Sequence, residues 1–249
     1  MENKIKPYIS QVDHSYGSGE YFSDPRRGAA DAEWKSRQVM RFLEKVNARE
    51  KIEIRTYADV GCGAGQNARL ISAAIRKNNP LDRAVGYDVS PHVKHIQAEG
   101  VEFIQQDFCQ SQERFDLVTL LDVFEHVPDP LGFISAVSRR GNMLIFHIPL
   151  DDCLSNRLRS EFRKKIRNPG HLIFLNLTSA INLMALSGLR VLDYDYTFAF
   201  QAPSGRATWK QKIAYPLRFL MASINPYLVA STIGGACLLV AARRIDAIP

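Results

Sequence analysis

The chain has 249 residues, a formal net charge of +6, 46% hydrophobic and 23% charged side chains. Apolar content this high with nearly balanced charge excludes disorder as the main state and allows one core, at most two domains. A spanning helix is excluded as well: the best apolar run, 228–242, is about 15 residues long where roughly 20 are needed, and it holds Ser231, Thr232 and Gly234-Gly235.

The start, Met1 to Lys6, leads into polar sequence, so no signal peptide is expected. Tyr8, Tyr16, Tyr21 and Phe22 lie among Gly, Ser and Asp, and read as a capping segment because aromatics favour burial. A helix follows from about Asp31 to Asn47, with Val39, Phe42, Leu43 and Val46 on one stripe. From Thr56 short apolar runs alternate with helical patterns. The runs are 57–60, 84–87, 101–104, 117–121 and 143–146, with helices at 68–76 and 130–139 between them. Strand, helix and strand repeated in this way predict an α/β fold with a parallel sheet covered on both faces. Further strands are expected at 191–200 and 236–242, and a basic helix-like stretch at 157–167. Pro216 is expected to interrupt any long helix in 206–227. Four cysteines, Cys62, Cys109, Cys153 and Cys237, form no CxxC pair, which fits a reducing cytoplasm better than a disulfide framework. Cys62 reads as a small turn residue rather than a nucleophile, since nothing basic adjoins it.

The sharpest local signal is Asp59-Val60-Gly61-Cys62-Gly63-Ala64-Gly65-Gln66-Asn67, after the first core strand and before a helix. Glycines permit a tight bend and let a ligand lie on bare backbone, and the helix N-terminus offers unpaired N–H groups to an anion. Asp88 ends the next strand, where a carboxylate can take both hydroxyls of a ribose. Separately, Asp59 and Asp88 read equally well as a turn cap and a helix cap. Gln66 stands where the dinucleotide fingerprint GxGxxG has its last glycine, which argues against a nicotinamide cofactor.

With Gly86-Tyr87-Asp88-Val89-Ser90, Gln106-Asp107-Phe108, the stretch Phe115 to Pro130 and Pro169-Gly170-His171-Leu172 in the same order, the sequence resembles the class I S-adenosylmethionine-dependent methyltransferases. Within them it is similar to the small-molecule enzymes related to the ubiquinone-biosynthesis O-methyltransferases. The resemblance covers roughly 56–242 and implies a Rossmann-like seven-stranded sheet, mostly parallel, with the last strand antiparallel. It also implies S-adenosylmethionine as cofactor. Gly61, Gly63 and Gly65 would line its methionine part, with Asp59 near the ammonium. Asp88 would hold the ribose, Val89 would pack on adenine, Asp107 would accept from the adenine amino group beside Phe108, and Leu121 would offer backbone to the ammonium.

Asp122, Glu125 and His126 stand at i, i+3 and i+4, so a helical turn would place them on one face, with His171 joining from a later loop. Two carboxylates and two imidazoles suit a divalent metal, a set that some relatives use, yet the motif recurs in the family without one. Metal is therefore not the favoured expectation. His126 or His171, with Glu125 beside them, could instead take a proton from a hydroxyl, or serve structure alone. His147 reads either as a pocket residue or as a satisfied core histidine.

The six basic residues between Arg157 and Arg167, against the single acid Glu161, read first as a solvated helix face and second as an attractor of anions. The acid-free segment 206–227 carries Arg206, Lys210, Lys212 and Arg218 among Trp209, Ile213, Leu217, Phe219 and Leu220. It reads first as a lid over substrate and second as a contact for an anionic membrane. The expectation is one methyltransferase domain: a cap at 1–50, a cofactor-binding core at 51–150, and a substrate-side half at 151–249 with an insertion at 201–230. Its acceptor is expected to be a small molecule with a hydroxyl oxygen, anionic or lipid-linked, rather than a nucleic acid. A non-catalytic binding protein that kept the fold is the alternative. Cytoplasmic placement, with a peripheral membrane surface as the variant, completes the expectation.

Overall fold

The computed structural model describes residues 31–245. The aromatic segment expected as a cap at the N-terminus lies outside them.

The first helix, α1 (Ala32–Glu50), buries Val39, Phe42, Leu43 and Val46, the stripe expected from their spacing. Asp31, which precedes α1, makes no side-chain cap. Its carboxylate instead accepts the Ser204 N–H at 3.0 Å, tying the start of α1 to a distant loop. Next come β1 (Thr56–Val60), α2 (Gln66–Asn78), β2 (Arg83–Asp88), β3 (Glu102–Gln105), β4 (Phe115–Leu121), α3 (Pro130–Ser138) and β5 (Gly141–Pro149). The expected runs fall short of β1, β2, β4 and β5, most of all at β5, and the run at 101–104 is offset from β3 by one residue, because the sheet continues past the apolar positions into polar ends such as Arg83 and Asn142.

The seven strands form one sheet in the order β3-β2-β1-β4-β5-β7-β6, with β6 at Leu189–Phe198 and β7 at Ala236–Arg244. The first five are parallel, and β7 runs antiparallel to both β5 and β6. The order reverses between β1 and β4, which pair directly, so the connections leaving them part to opposite sides and open a crevice at their carboxyl ends. Burial on both faces makes the central strands continuously apolar: Met143, Leu144, Ile145 and Phe146 are all fully enclosed. Phe124 packs edge-on against Phe146 with ring centroids 6.1 Å apart.

The basic stretch 157–167 is not one helix. It divides into α4 (Leu154–Leu158) and α5 (Phe162–Arg167) at Ser160, whose φ is +54°. Arg157 pairs with Asp152, Lys164 with Glu161 and Lys165 with Asp151, so half of the run is compensated locally. After α6 (Leu177–Leu186) and β6, the insertion contains α7 (Trp209–Ile224) and α8 (Pro226–Thr232). The expectation that Pro216 breaks the helix is corrected: α7 runs straight through it. Pro216 and Lys212 are both exposed, so the carbonyl four residues back that loses its partner can be met by water. Thr208 and Gln211 also anchor the helix start by a reciprocal capping box.

Inside the core, the Thr119 hydroxyl donates to Asp59 Oδ1 at 2.6 Å and lies 2.9 Å from the Tyr57 hydroxyl. Burial is the main cause that pushes the Asp59 carboxyl up to about 7. The folded protein therefore keeps a proton between about pH 4 and 7 that the unfolded chain has lost, and stability falls as pH rises through that window. Asp59→Asn removes this penalty while keeping an acceptor for Thr119. Urea unfolding should show the variant gaining on the natural protein from about pH 4 to 7 and holding that gain above it. Phe146→Ala, which empties the space facing Phe124, should lower unfolding free energy by about 3–5 kcal/mol in the same assay.

Candidate functional site

The bend between β1 and α2 is built on left-handed glycines: Gly61, Gly63 and Gly65 have φ of +70°, +55° and +73°. Gly61 and Cys62 N–H groups both donate to the Tyr87 carbonyl, at 2.8 and 3.0 Å, which folds the bend onto β2. A Cβ on Gly61 would come within 2.7 Å of the Val123 side chain, so the bend and the turn after β4 interlock. Gly65 caps α2, and a Cβ there would strike the Phe103 ring at 2.7 Å.

Asp88 closes the bend from the end of β2. Its Oδ2 accepts the Gly63 N–H and its Oδ1 the Ser90 N–H, each at 2.8 Å. Each oxygen keeps a second lone pair. Burial raises the Asp88 carboxyl, and the backbone N–H groups of Ser90 and Gly63 oppose that rise. Along the same rim Asp107 accepts the Cys109 N–H at 2.9 Å, and Phe108 packs edge-on to Tyr87 at 4.9 Å. Val89 lies next to Asp88, half exposed on the wall of the same cleft.

These groups line one cleft of about 450 Å³ at the carboxyl ends of β1, β2 and β4, within the range of roughly 300–1,000 Å³ usual for small-molecule sites. Gly61, Gly63, Asp88, Val89, Asp107, Phe108 and Leu121 all reach it, as do Glu125, His126 and His171. Two expected residues do not. Asp59 lies beneath the floor, bonded to Thr119, and Gly65 is turned into the packing against Phe103. Cys62 lines the cleft with its thiol pushed far up by burial, which fits a turn residue and not a nucleophile.

The expected four-residue set splits in two. Residues Phe124–His126 form a single 3-10 turn that starts after Asp122, and Asp122 is itself left-handed at φ +58°, so the i, i+3, i+4 face never forms. Asp122 instead pairs with the Lys35 ammonium and with His147 Nδ1, the latter at 2.5 Å. His147 spends its Nε2 on Thr197 at 2.9 Å and does not line the cleft, so it is the satisfied core histidine of the two readings. Burial opposes the charge on Asp122, but His147 and Lys35 overcome it and hold its carboxyl far below the usual range.

Glu125, His126 and His171 do come together, with one ligand-capable atom of each within 4.8 Å of the others. The two imidazole rings are 4.9 Å apart, edge to face. His126 Nδ1 is 3.0 Å from the Gly170 carbonyl and His171 Nδ1 is 2.6 Å from Asp151 Oδ2. Both partners only accept from these rings, which places a proton on each Nδ1. Burial, then the neighbouring His171, lowers His126 to about 4, so it is neutral at physiological pH. Glu125 is 1% exposed, and neither carboxyl oxygen has a hydrogen-bond partner among the described residues. Burial and the Asp122 charge raise its carboxyl well above the ordinary range.

Three relevant residues were not anticipated. Lys35 and Cys237 line the cleft, and Asp151 orients His171. Lys35 had a legible signal, since it stands four before Val39 on the apolar stripe of α1. Asp151 is an acid just beyond a strand end. Cys237, inside an apolar strand, had none. The expected lid is also corrected: no residue of α7 lines the cleft, because α7 packs by Tyr215 on Phe200 and leaves its other side open.

Residues 29–194, two thirds of the chain, match the model of a methyltransferase domain. A ubiquinone biosynthesis O-methyltransferase of Histophilus somni (strain 2336) is 32% identical over 91 residues, which are 31% of this chain and 37% of that protein. The chain thus spans well under half the length of this curated relative. Among solved structures, a chain of the complex between the Haloferax volcanii Trm112 methyltransferase activator and a methyltransferase superposes with a TM-score of 0.59 at 17% identity, covering 95% of this chain and 98% of that one. The magnesium protoporphyrin IX methyltransferase of Synechocystis PCC 6803 with bound SAH gives 0.56 at 16%, covering 95% and 99%. These two likenesses establish the fold. Given the family match over most of the ordered sheet, this chain belongs to the methyltransferase-domain family of S-adenosylmethionine-dependent enzymes.

Proposed function

We propose that the protein moves the methyl group of S-adenosylmethionine to a hydroxyl oxygen of a small-molecule acceptor. The observation that carries this reading is the Asp151–His171 pair set beside Glu125 and His126 on the wall of the cleft. The partial likeness to a ubiquinone biosynthesis O-methyltransferase supports a hydroxyl acceptor.

The cleft suits the cofactor chemically, since it offers carboxylates for hydroxyls and an ammonium, bare backbone for close approach, and apolar walls for a base. Asp88 takes the ribose hydroxyls on its remaining lone pairs, and Val89 and Phe108 flank the adenine, whose amino group Asp107 accepts. Gly61 and Gly63 border the methionine part, and Leu121 offers its backbone to the ammonium. Bound in this way, the cofactor supplies a methyl already activated on a sulfonium, so the protein contributes mainly positioning. His171 accepts the acceptor's hydroxyl proton on Nε2 while Asp151 holds its Nδ1–H and steadies the imidazolium that forms. Carbon–oxygen bond formation would accompany carbon–sulfur cleavage, with the electron pair left on sulfur.

A second reading rests on Glu125. A buried carboxyl whose two oxygens have no hydrogen-bond partner among the described residues, beside the two imidazoles, is a donor set that fits a divalent cation held by Glu125, His126 and His171, with Asp151 behind His171. Such an ion would acidify the acceptor hydroxyl. Asp122 is no part of this set.

Methyl-labelled cofactor offered with a panel of hydroxylated metabolites should yield a labelled ether that withstands chelator. Loss of label on chelation, restored by magnesium or manganese, would select the second reading, and cofactor binding without transfer to any acceptor would select a non-catalytic role. His171→Ala should lower kcat by about 100-fold or more with calorimetric cofactor affinity unchanged. Asp88→Ala should weaken cofactor binding by at least about tenfold, the cost of losing hydrogen bonds to a charged group, with the thermal midpoint read alongside as the control for folding.

A further inference from the structure

The insertion between β6 and β7 leaves a face that the cleft chemistry does not use. Trp209, Ile213, Leu217, Leu220 and Ile224 follow one another at intervals of four, four, three and four along α7, and each is between 56% and 76% exposed. At roughly 100° per residue they fall within one outward quadrant of the helix. Lys212 projects on one border of that stripe and Lys210 on the other, and both are exposed. The opposite side of α7 faces the protein through Tyr215, which meets Phe200, and Ala222, which is buried. Tyr227 and Leu228 of α8, about half exposed, extend the apolar surface. From Ala199 to Gly235 the chain holds four basic residues, Arg206, Lys210, Lys212 and Arg218, and no acid.

We propose that this face of α7 and α8 docks the protein onto an anionic lipid bilayer surface. An outward stripe of large apolar side chains, unrelieved by any polar group at its centre, is too large a feature for an ordinary solvated helix. Lysines on both borders, with their stems along the apolar surface and their charges beyond it, suit a helix lying in the plane of a membrane interface. A tryptophan at one end of the stripe suits the same depth. The complete lack of acids is what selects an anionic lipid surface over a protein groove, which would need compensating charge only at points. No helix among the described residues is long and apolar enough to cross a membrane, so contact is peripheral.

The topology gives the docking a consequence for the cleft. β6 ends at Phe198 and β7 starts at Ala236 opposite it, and Cys237 pairs with Pro149 at the carboxyl end of β5. The insertion therefore leaves and re-enters the sheet at the cleft's rim, where Cys237 and Pro149 are lining residues. A membrane engaged by α7 lies on the same edge of the sheet as the mouth of the site. The docking itself is independent of what the cleft binds.

Co-sedimentation of the full chain with vesicles tests it. Vesicles of phosphatidylcholine with one third phosphatidylglycerol should bind the protein at least about tenfold more tightly than phosphatidylcholine alone, and high salt should weaken the binding. Ile213→Glu combined with Leu217→Glu, both in exposed positions, should abolish binding while leaving the thermal midpoint in place. Lys210→Gln combined with Lys212→Gln should weaken it by about tenfold or more. In a Trp34→Phe background the fluorescence of Trp209 should shift to the blue on adding anionic vesicles, a readout that needs no destabilising change. Equal affinity for both vesicle types, no binding to either, or unchanged binding of the glutamate variants would overturn the proposal. So would a dimer in lipid-free solution that the same glutamate variants dissociate, since that would make the face an interface between copies.

Discussion

Two backbone N–H groups, from Gly63 and Ser90, converge on the Asp88 carboxylate, and this buried contact decides the shape of the whole site. It ties the bend after β1 to the end of β2. The pinned bend borders the crevice at the strand-order reversal between β1 and β4. Left-handed glycines are needed because no side chain fits where the bend meets Val123 and Phe103. An acid is needed because only a carboxylate accepts from both N–H groups and retains lone pairs for a ligand.

The opposite wall obeys a different logic. Asp122 is met by both Lys35 and His147 across α1, β4 and β5, and removing Asp122 would leave the largely buried Lys35 ammonium without its carboxylate. Glu125 has no such compensation. A buried unsatisfied carboxyl is costly, and a protein tolerates one where a proton or an ion completes the group during function. Charge pairing on one side of the turn, and a carboxyl without a hydrogen-bond partner among the described residues on the other, thus separate two clusters whose residues are neighbours in sequence.

The insertion adds a third environment to the same edge of the sheet. Its inner side is apolar and packed, its outer side apolar and open, and its charge is all of one sign. That combination is unfavourable in water alone.

Much of this was determined by sequence, for physical reasons that act locally. Short apolar runs alternating with helical patterns read as strands covered on both faces, so the parallel sheet and the sequence of its elements were legible. The glycine bend was legible too, since glycine spacing and a following helix state a backbone conformation directly. Tertiary structure alone decided the partners of each polar side chain. Asp122 and Glu125 are three residues apart, and nothing local distinguishes the one that meets Lys35 and His147 from the one that meets no donor among the described residues. Asp59 looked like a cleft residue because it precedes the bend, but strand alternation turned it inward to Thr119. The lid reading of α7 failed for the same reason. Amphipathic sequence specifies that a helix has an apolar face, while only the packing of Tyr215 on Phe200 decides which way that face is turned.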